Sequence, residues 1–140
     1  MSRFPEDPVK AIPHRPPILC VDRILDVDEQ HAVTEHIVVP GGGVDGGELW
    51  EPGLVEGMAQ TAGVLNAYDE WLSGRPHRPG MLVGIRRCRI RRRARVGERL
   101  VYRVDLIRRI SPLTLMRCEA RVGEEVLALG EMKFYVETDA

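Results

Sequence analysis

Apolar and polar positions along the chain mark one long helical block set among stretches of strand period. Within residues 50–72, Leu54, Met58, Ala62 and Leu65 recur at i, i+4, i+8 and i+11, while Gly57, Ala59 and Gly63 keep the flanks narrow. That is the spacing of a helix buried against another element. Pro52 suits its first turn, where no backbone N–H is required. Glu56 and Gln60 follow one turn apart on one side. A carboxylate on so apolar a helix is paired locally, exposed at a cleft or retained for a site.

Period-two alternation surrounds this block. In residues 32–39, Val33, Ile37 and Val39 alternate with Thr34, His36 and Val38, as in a strand with one buried face, and Pro40 stops it. Downstream, residues 81–95 place Cys88 and Ile90 on one face and Arg87, Arg89 and Arg91 on the other. Leu100, Tyr102, Val104 and Leu106 mark the next strand, which Ser111-Pro112 ends. Thr114, Met116, Cys118, Ala120 and Val122 mark another, and Val126, Ala128, Gly130, Met132, Phe134 and Val136 the last. The Arg-Val-Gly-Glu runs at 95–98 and 121–124 read as similar turn chemistry rather than a duplicated module.

Two strands, a long buried helix and a four-strand antiparallel meander describe an α+β domain in which a curved sheet wraps the helix, the hotdog arrangement. One such domain spans residues 1–140, with 1–12 expected as a loosely held arm. Pro13, Pro16 and Pro17 exclude a regular helix after the arm and leave an extended approach to the first strand. The glycine-rich stretch at 41–47 is a loop whose backbone can approach a ligand closely.

Composition changes this picture only in part. A hydrophobic content of 44% over 140 residues fits a single core. The net charge of −1 gives no global attraction to nucleic acid or an anionic membrane. Cys20, Cys88 and Cys118 are odd in number and lack metal-type spacing, which favours reduced thiols in a cytoplasm and implies no metal site. No cofactor is expected. Residues 1–17 are charged and proline-rich, neither a signal peptide nor a membrane span. The expected location is cytoplasmic.

Pro13-His14-Arg15-Pro16-Pro17-Ile18-Leu19-Cys20-Val21-Asp22-Arg23 resembles the opening motif of hotdog-fold 3-hydroxyacyl-acyl-carrier-protein dehydratases, and Glu56-Gly57-Met58-Ala59-Gln60-Thr61-Ala62-Gly63 resembles the start of their central helix. Gly84-Ile85 and Val96-Gly97-Glu98 are similar to the segment after it, so the resemblance covers residues 12–136. It implies active sites at a dimer interface, where a histidine from the loop before the helix acts with a helix carboxylate of the other subunit. At 41–49 this chain has no histidine in that loop. It more closely resembles the divergent branch associated with aryl-polyene-type biosynthesis, whose members can pair with a second, histidine-bearing hotdog subunit.

Dehydration of a 3-hydroxyacyl thioester needs a base for the α-proton, an acid for the departing hydroxyl and a donor for the carbonyl. Glu56 is the candidate acid, its alternative a capping or ion-pairing carboxylate. Gln60 either holds Glu56 or is an ordinary core amide. Asp45 either replaces the missing base or initiates a turn, the commoner role of such a residue. Backbone N–H groups around Gly53 and Leu54 are candidates to bind the thioester oxygen, with Met58 beside them at the substrate. His14 and His36 are expected to be structural, and His31 and His77 carry no signal.

Among the clustered arginines, Arg87, Arg89, Arg91 and Arg92 form a basic patch suited to an acidic acyl carrier protein; the ordinary alternative is a solvated strand face. An aromatic content of 5% argues against nucleic acid. The expected partners are thus the carrier, its acyl thioester and a second hotdog subunit, either a copy of this chain or a histidine-bearing paralogue. A thioesterase and a non-catalytic acyl-binding subunit are the rival readings.

Overall fold

The computed structural model describes residues 3–137. A short 3-10 turn at Pro8–Lys10 leads to β1 (Arg23–Val27) and β2 (His31–Ile37). Two short strands, β3 (Val44–Asp45) and β4 (Glu48–Leu49), precede α1 (Glu51–Leu72). After it come β5 (Gly80–Ile90), β6 (Ala94–Arg95), β7 (Arg99–Ile110), β8 (Leu113–Val122) and β9 (Glu125–Val136). The main sheet has six strands in the order β1-β2-β7-β8-β9-β5, antiparallel throughout, and β3-β4-β6 form a small second sheet. This is the α+β hotdog arrangement, one long helix packed on a large antiparallel sheet.

α1 forms where its apolar spacing predicts. Leu54, Met58, Ala62 and Leu65 are fully buried against the sheet, facing Leu100, Tyr102, Val104, Met116, Cys118 and Met132. Pro52 lies in its first turn. Gly57 is where helix and sheet come closest: a Cβ there would stand 2.1 Å from the Tyr102 ring. Only glycine permits this approach.

β2 buries the less apolar of its two faces. Ala32, Thr34 and Val38 point inward, while Ile37 and Val39 are exposed. The inward face holds a polar contact: Thr34 Oγ1 lies 2.8 Å from Thr61 Oγ1 of α1, and the Thr61 hydroxyl also donates to the Gly57 carbonyl. A hydroxyl pair satisfied across the helix–sheet contact goes with this phase of the strand. In β9 a register shift opposite Ala120 and Arg121 likewise brings Leu127 into the core beside Ala128, leaving Val126 half-buried.

β5 departs most from simple alternation. Its pairing with β9 is shifted between Arg86 and Arg89, and Arg87 takes φ 55°, so the run at 87–91 is not one flat arginine face. The strand ends at Ile90 and the chain re-enters pairing only at β6. β5 is also an edge of the main sheet, with Met81, Leu82, Val83 and Ile85 exposed.

The N-terminal arm docks on the outer end of α1. Phe4 meets Tyr68 edge-on at 5.2 Å and Trp71 at 5.7 Å between ring centroids, and the Ile24 N–H donates to the Glu6 carbonyl. Ile12 enters the core. The arm thereby carries residues 13–20 across the face of α1.

Candidate active site

Glu56 sits in the second turn of α1, half-buried and beside the fully buried Gln60. The Gln60 amide makes three hydrogen bonds, two through its Nε2 and one through its Oε1. Its Nε2 donates to Glu56 Oε1 at 2.9 Å and to the Ile18 carbonyl at 2.9 Å, and its Oε1 accepts from the Cys20 N–H at 2.7 Å. One side chain therefore orients the carboxylate and ties the segment at 18–20 to the helix. No regular element holds that segment, so its backbone groups need such a partner.

The same segment brings His14 to the carboxylate. His14 Nε2 stands 4.0 Å from Glu56 Oε1, with both side chains still reaching solvent. Arg15 Nη1 donates to the carbonyls of Ile12, at 2.9 Å, and His14, at 2.8 Å, fixing the backbone on either side of the imidazole. His14 Nδ1 is buried without a hydrogen-bond partner. Such an atom costs about 1–3 kcal/mol for as long as it stays unpaired.

His14, Glu56 and Gln60 line one groove with Ile12, Ala59 and Gly63, about 260 Å³ in volume. An imidazole and a carboxyl facing each other across a cleft can remove and deliver protons at adjacent atoms of a bound molecule. Cys20 borders the pair: burial first, then the Glu56 and Asp22 charges, push its thiol up to about 11. It is no nucleophile at neutral pH.

The remaining expected residues lie elsewhere. Leu54 and Met58 face the core, and the Gly53 N–H is spent on the Trp50 carbonyl while Gly53 packs on Leu49. Asp45 is exposed in β3 and contributes to the acidic surroundings of Arg93, which donates to Glu51 Oε1 at 3.0 Å. His36 contacts Asp22, whose other carboxylate oxygen accepts from the Ile37 N–H. His31 sits between Asp26 and Asp28.

Of the arginines, Arg92 is bound bidentately to Glu98 at 2.8 and 2.9 Å and also to Glu125. That pairing first, and the Arg95 backbone as well, hold the Glu98 carboxyl down to about 2. Arg87 lies 3.6 Å from Glu131. Arg89 and Arg91 are exposed and make no ion pair among the described residues.

The sequence assigns His14 a structural role and does not place it beside Glu56, where the fold sets it. The available signal was the run Pro13-His14-Arg15-Pro16-Pro17, which forbids regular structure and so leaves its polar side chains to tertiary partners. Among the described residues no cluster of His, Cys, Asp and Glu could hold a metal ion, and no helix is long and apolar enough to cross a membrane.

Comparison with known proteins agrees with this fold. The chain is 33% identical over 132 residues to the 3-hydroxyacyl-(acyl-carrier-protein) dehydratase FabZ of Caldanaerobacter subterraneus, covering 89% of this chain and 92% of that one. Its fold resembles a chain of the dehydratase heterocomplex ApeI:P from Xenorhabdus doucetiae, with a TM-score of 0.87, 21% identity and coverage of 99% and 94%. It also resembles a hypothetical thioesterase with coenzyme A from Streptococcus pneumoniae, with a TM-score of 0.70, 12% identity and coverage of 83% and 85%. These two likenesses are of fold. A family model described as ApeP-like, ApeP dehydratase, matches residues 6–140, a span that takes in the opening segment, the whole of α1 and every strand of the sheet. The protein therefore belongs to the ApeP-like dehydratase family.

Proposed function

We propose that this chain dehydrates 3-hydroxyacyl thioesters carried on acyl carrier protein, with His14 and Glu56 as its acid–base pair. The 4.0 Å approach of His14 Nε2 to Glu56 Oε1 across the groove carries this reading. His14 takes the α-proton, and the electrons of that C–H bond form the double bond to the β-carbon. Glu56 gives its proton to the β-hydroxyl, which leaves as water. Imidazolium and carboxylate then face each other, the form in which Glu56 carries its charge, and passage of the proton from Nε2 to Oε1 readies the pair for the next turnover. Gln60 acts as a positioning residue, holding the carboxylate through its Nε2. Asp45, outside the groove, has no step in this reaction.

Because the acid–base pair lies within one chain, it needs no histidine from a paralogue. The working unit is nonetheless a dimer in this proposal, formed by pairing along the exposed edge of β5. The ApeI:P heterocomplex is a precedent for pairing with a different subunit. Arg89 and Arg91 supply the exposed positive charge for an acidic carrier.

The test is hydration of an enoyl-acyl carrier protein, the reverse reaction, by the purified chain. Turnover lost in His14→Ala and Glu56→Gln is the expected result. Turnover that survives both substitutions overturns the assignment. Release of free thiol in place of the hydrated product marks a thioesterase, and activity only after adding a second hotdog subunit marks an obligate mixed dimer.

A further inference from the structure

The groove at His14 and Glu56 stops at a wall that it shares with a second cavity. From position 56 to position 66 the groove follows α1 for about 15 Å, at 1.5 Å per residue. Ala59 and Gly63 leave room along this path, and Leu82 and Phe134 give it apolar walls. At the far end the lining changes to Asn66, His77 and Arg78. Behind them is a cavity of about 360 Å³, which Asn66 and Arg78 line from its other side and to which Pro76, Pro112 and Val136 give apolar surface.

Asn66 is built in. It is 6% exposed, and its Oδ1 accepts from Arg109 Nη1 at 3.3 Å, the same nitrogen that reaches Thr114 Oγ1. Its Nδ2 lies 3.6 Å from where a Cβ on Gly80 would stand, so the amide spans the gap between helix and sheet. The loop beside it is secured by the buried Glu70, which accepts from His77 Nδ1 at 2.9 Å and from the Arg78 N–H.

We propose that Asn66, backed by Arg109, is the end stop of the acyl groove and sets the longest chain the protein accepts. This rests on the reading of the groove as an acyl-thioester site. A methyl terminus that reached Asn66 and Arg78 would gain no apolar burial and would crowd polar groups away from their partners. The space behind is closed by a side chain rather than by backbone. Shortening Asn66 therefore joins the two cavities, and lengthening it moves the stop toward Glu56.

Binding of unreactive S-alkyl pantetheine thioethers, from butyl to hexadecyl, measured by titration calorimetry, tests this. Affinity of the native protein rises with chain length and then drops roughly tenfold or more past a limiting length. Asn66→Ala moves that limit to longer chains, and Asn66→Gln moves it to shorter ones. A limit that neither substitution moves, or a native protein with no limit, overturns the proposal. Enoyl-thioester hydration measured on the same proteins separates it from the catalytic reading. A limit that moves with position 66 while nothing is hydrated keeps the end stop and removes the dehydratase. Hydration with no limit does the reverse.

Discussion

His14 and Glu56 face each other at 4.0 Å although one comes from an irregular, proline-bounded segment and the other from a long helix. If the two act as one acid–base unit, their substitutions are not additive. His14→Ala and Glu56→Gln should each lower kcat for enoyl-thioester hydration by roughly 10² to 10⁴-fold, and the double variant should be no slower than the slower single one. Additive losses would mean that the groups serve independent steps.

Gln60 ties the carboxylate to the segment that bears the imidazole. Gln60→Leu keeps the bulk but leaves the part-buried Cys20 N–H and Ile18 carbonyl without this partner, a loss of about 0.5–1.5 kcal/mol per hydrogen bond. Urea denaturation should show the destabilisation. Under conditions where the variant is still folded, kcat should fall more than KM changes, because Glu56 has lost its orientation. Unchanged kcat would assign Gln60 to structure alone.

At the closest helix–sheet approach, two small changes should act in opposite directions. Gly57→Ala drives a methyl into the Tyr102 ring and should cost about 1–3 kcal/mol. The Tyr102 hydroxyl is buried without a partner, so Tyr102→Phe removes an unpaired group and should leave stability unchanged or raise it. Thermal melts of the two variants against the parent decide this. A marked destabilisation by Tyr102→Phe would show that the hydroxyl has a partner in solution.

Glu98 provides a signature in acid. Arg92 holds its carboxyl down from an ordinary 4.5 to about 2, so between those values the unfolded chain binds more protons than the folded one. The stability contributed by this pair is complete above 4.5 and is lost as pH falls toward 2. Arg92→Leu should flatten that limb in stability measured against pH, with much less effect on its shape near neutrality.

Cys20 reports on Glu56 without any substrate. Burial and then the Glu56 charge raise its thiol to about 11, so alkylation should be slow at neutral pH and accelerate as pH rises toward that value. Glu56→Gln removes the second cause, and labelling of Cys20, located by peptide mass spectrometry, should quicken. The same rate in both proteins would place the two groups too far apart to interact.

Much of the fold is legible in the chain because two periods dominate it. The spacing of Leu54, Met58, Ala62 and Leu65 predicts the buried helix, and the alternation from Leu100 onward predicts the meander. What periodicity leaves open is phase and interruption. Ile37 and Val39 lie outside, and the face of β2 that turns inward carries Thr34, whose hydroxyl is paired with that of Thr61. The bulge at Arg87 breaks a run that reads as regular. Glu56 and Gln60 are visible as polar residues on an apolar helix, one turn apart. His14 is not, since its place beside Glu56 depends on contacts made by Gln60 and Arg15 with a stretch that has no period at all.

The bare edge of β5 ties the fate of the newly made chain to its company in the cell. A strand with Met81, Leu82, Val83 and Ile85 exposed is a surface that chaperones and proteases recognise, and an unpaired strand edge invites non-native pairing. If the proposed dimer covers that edge, synthesis beyond the supply of a mate would yield turnover or inclusion bodies rather than surplus folded protein. Where that mate is a different chain, matched dosage of the two becomes a condition for accumulation.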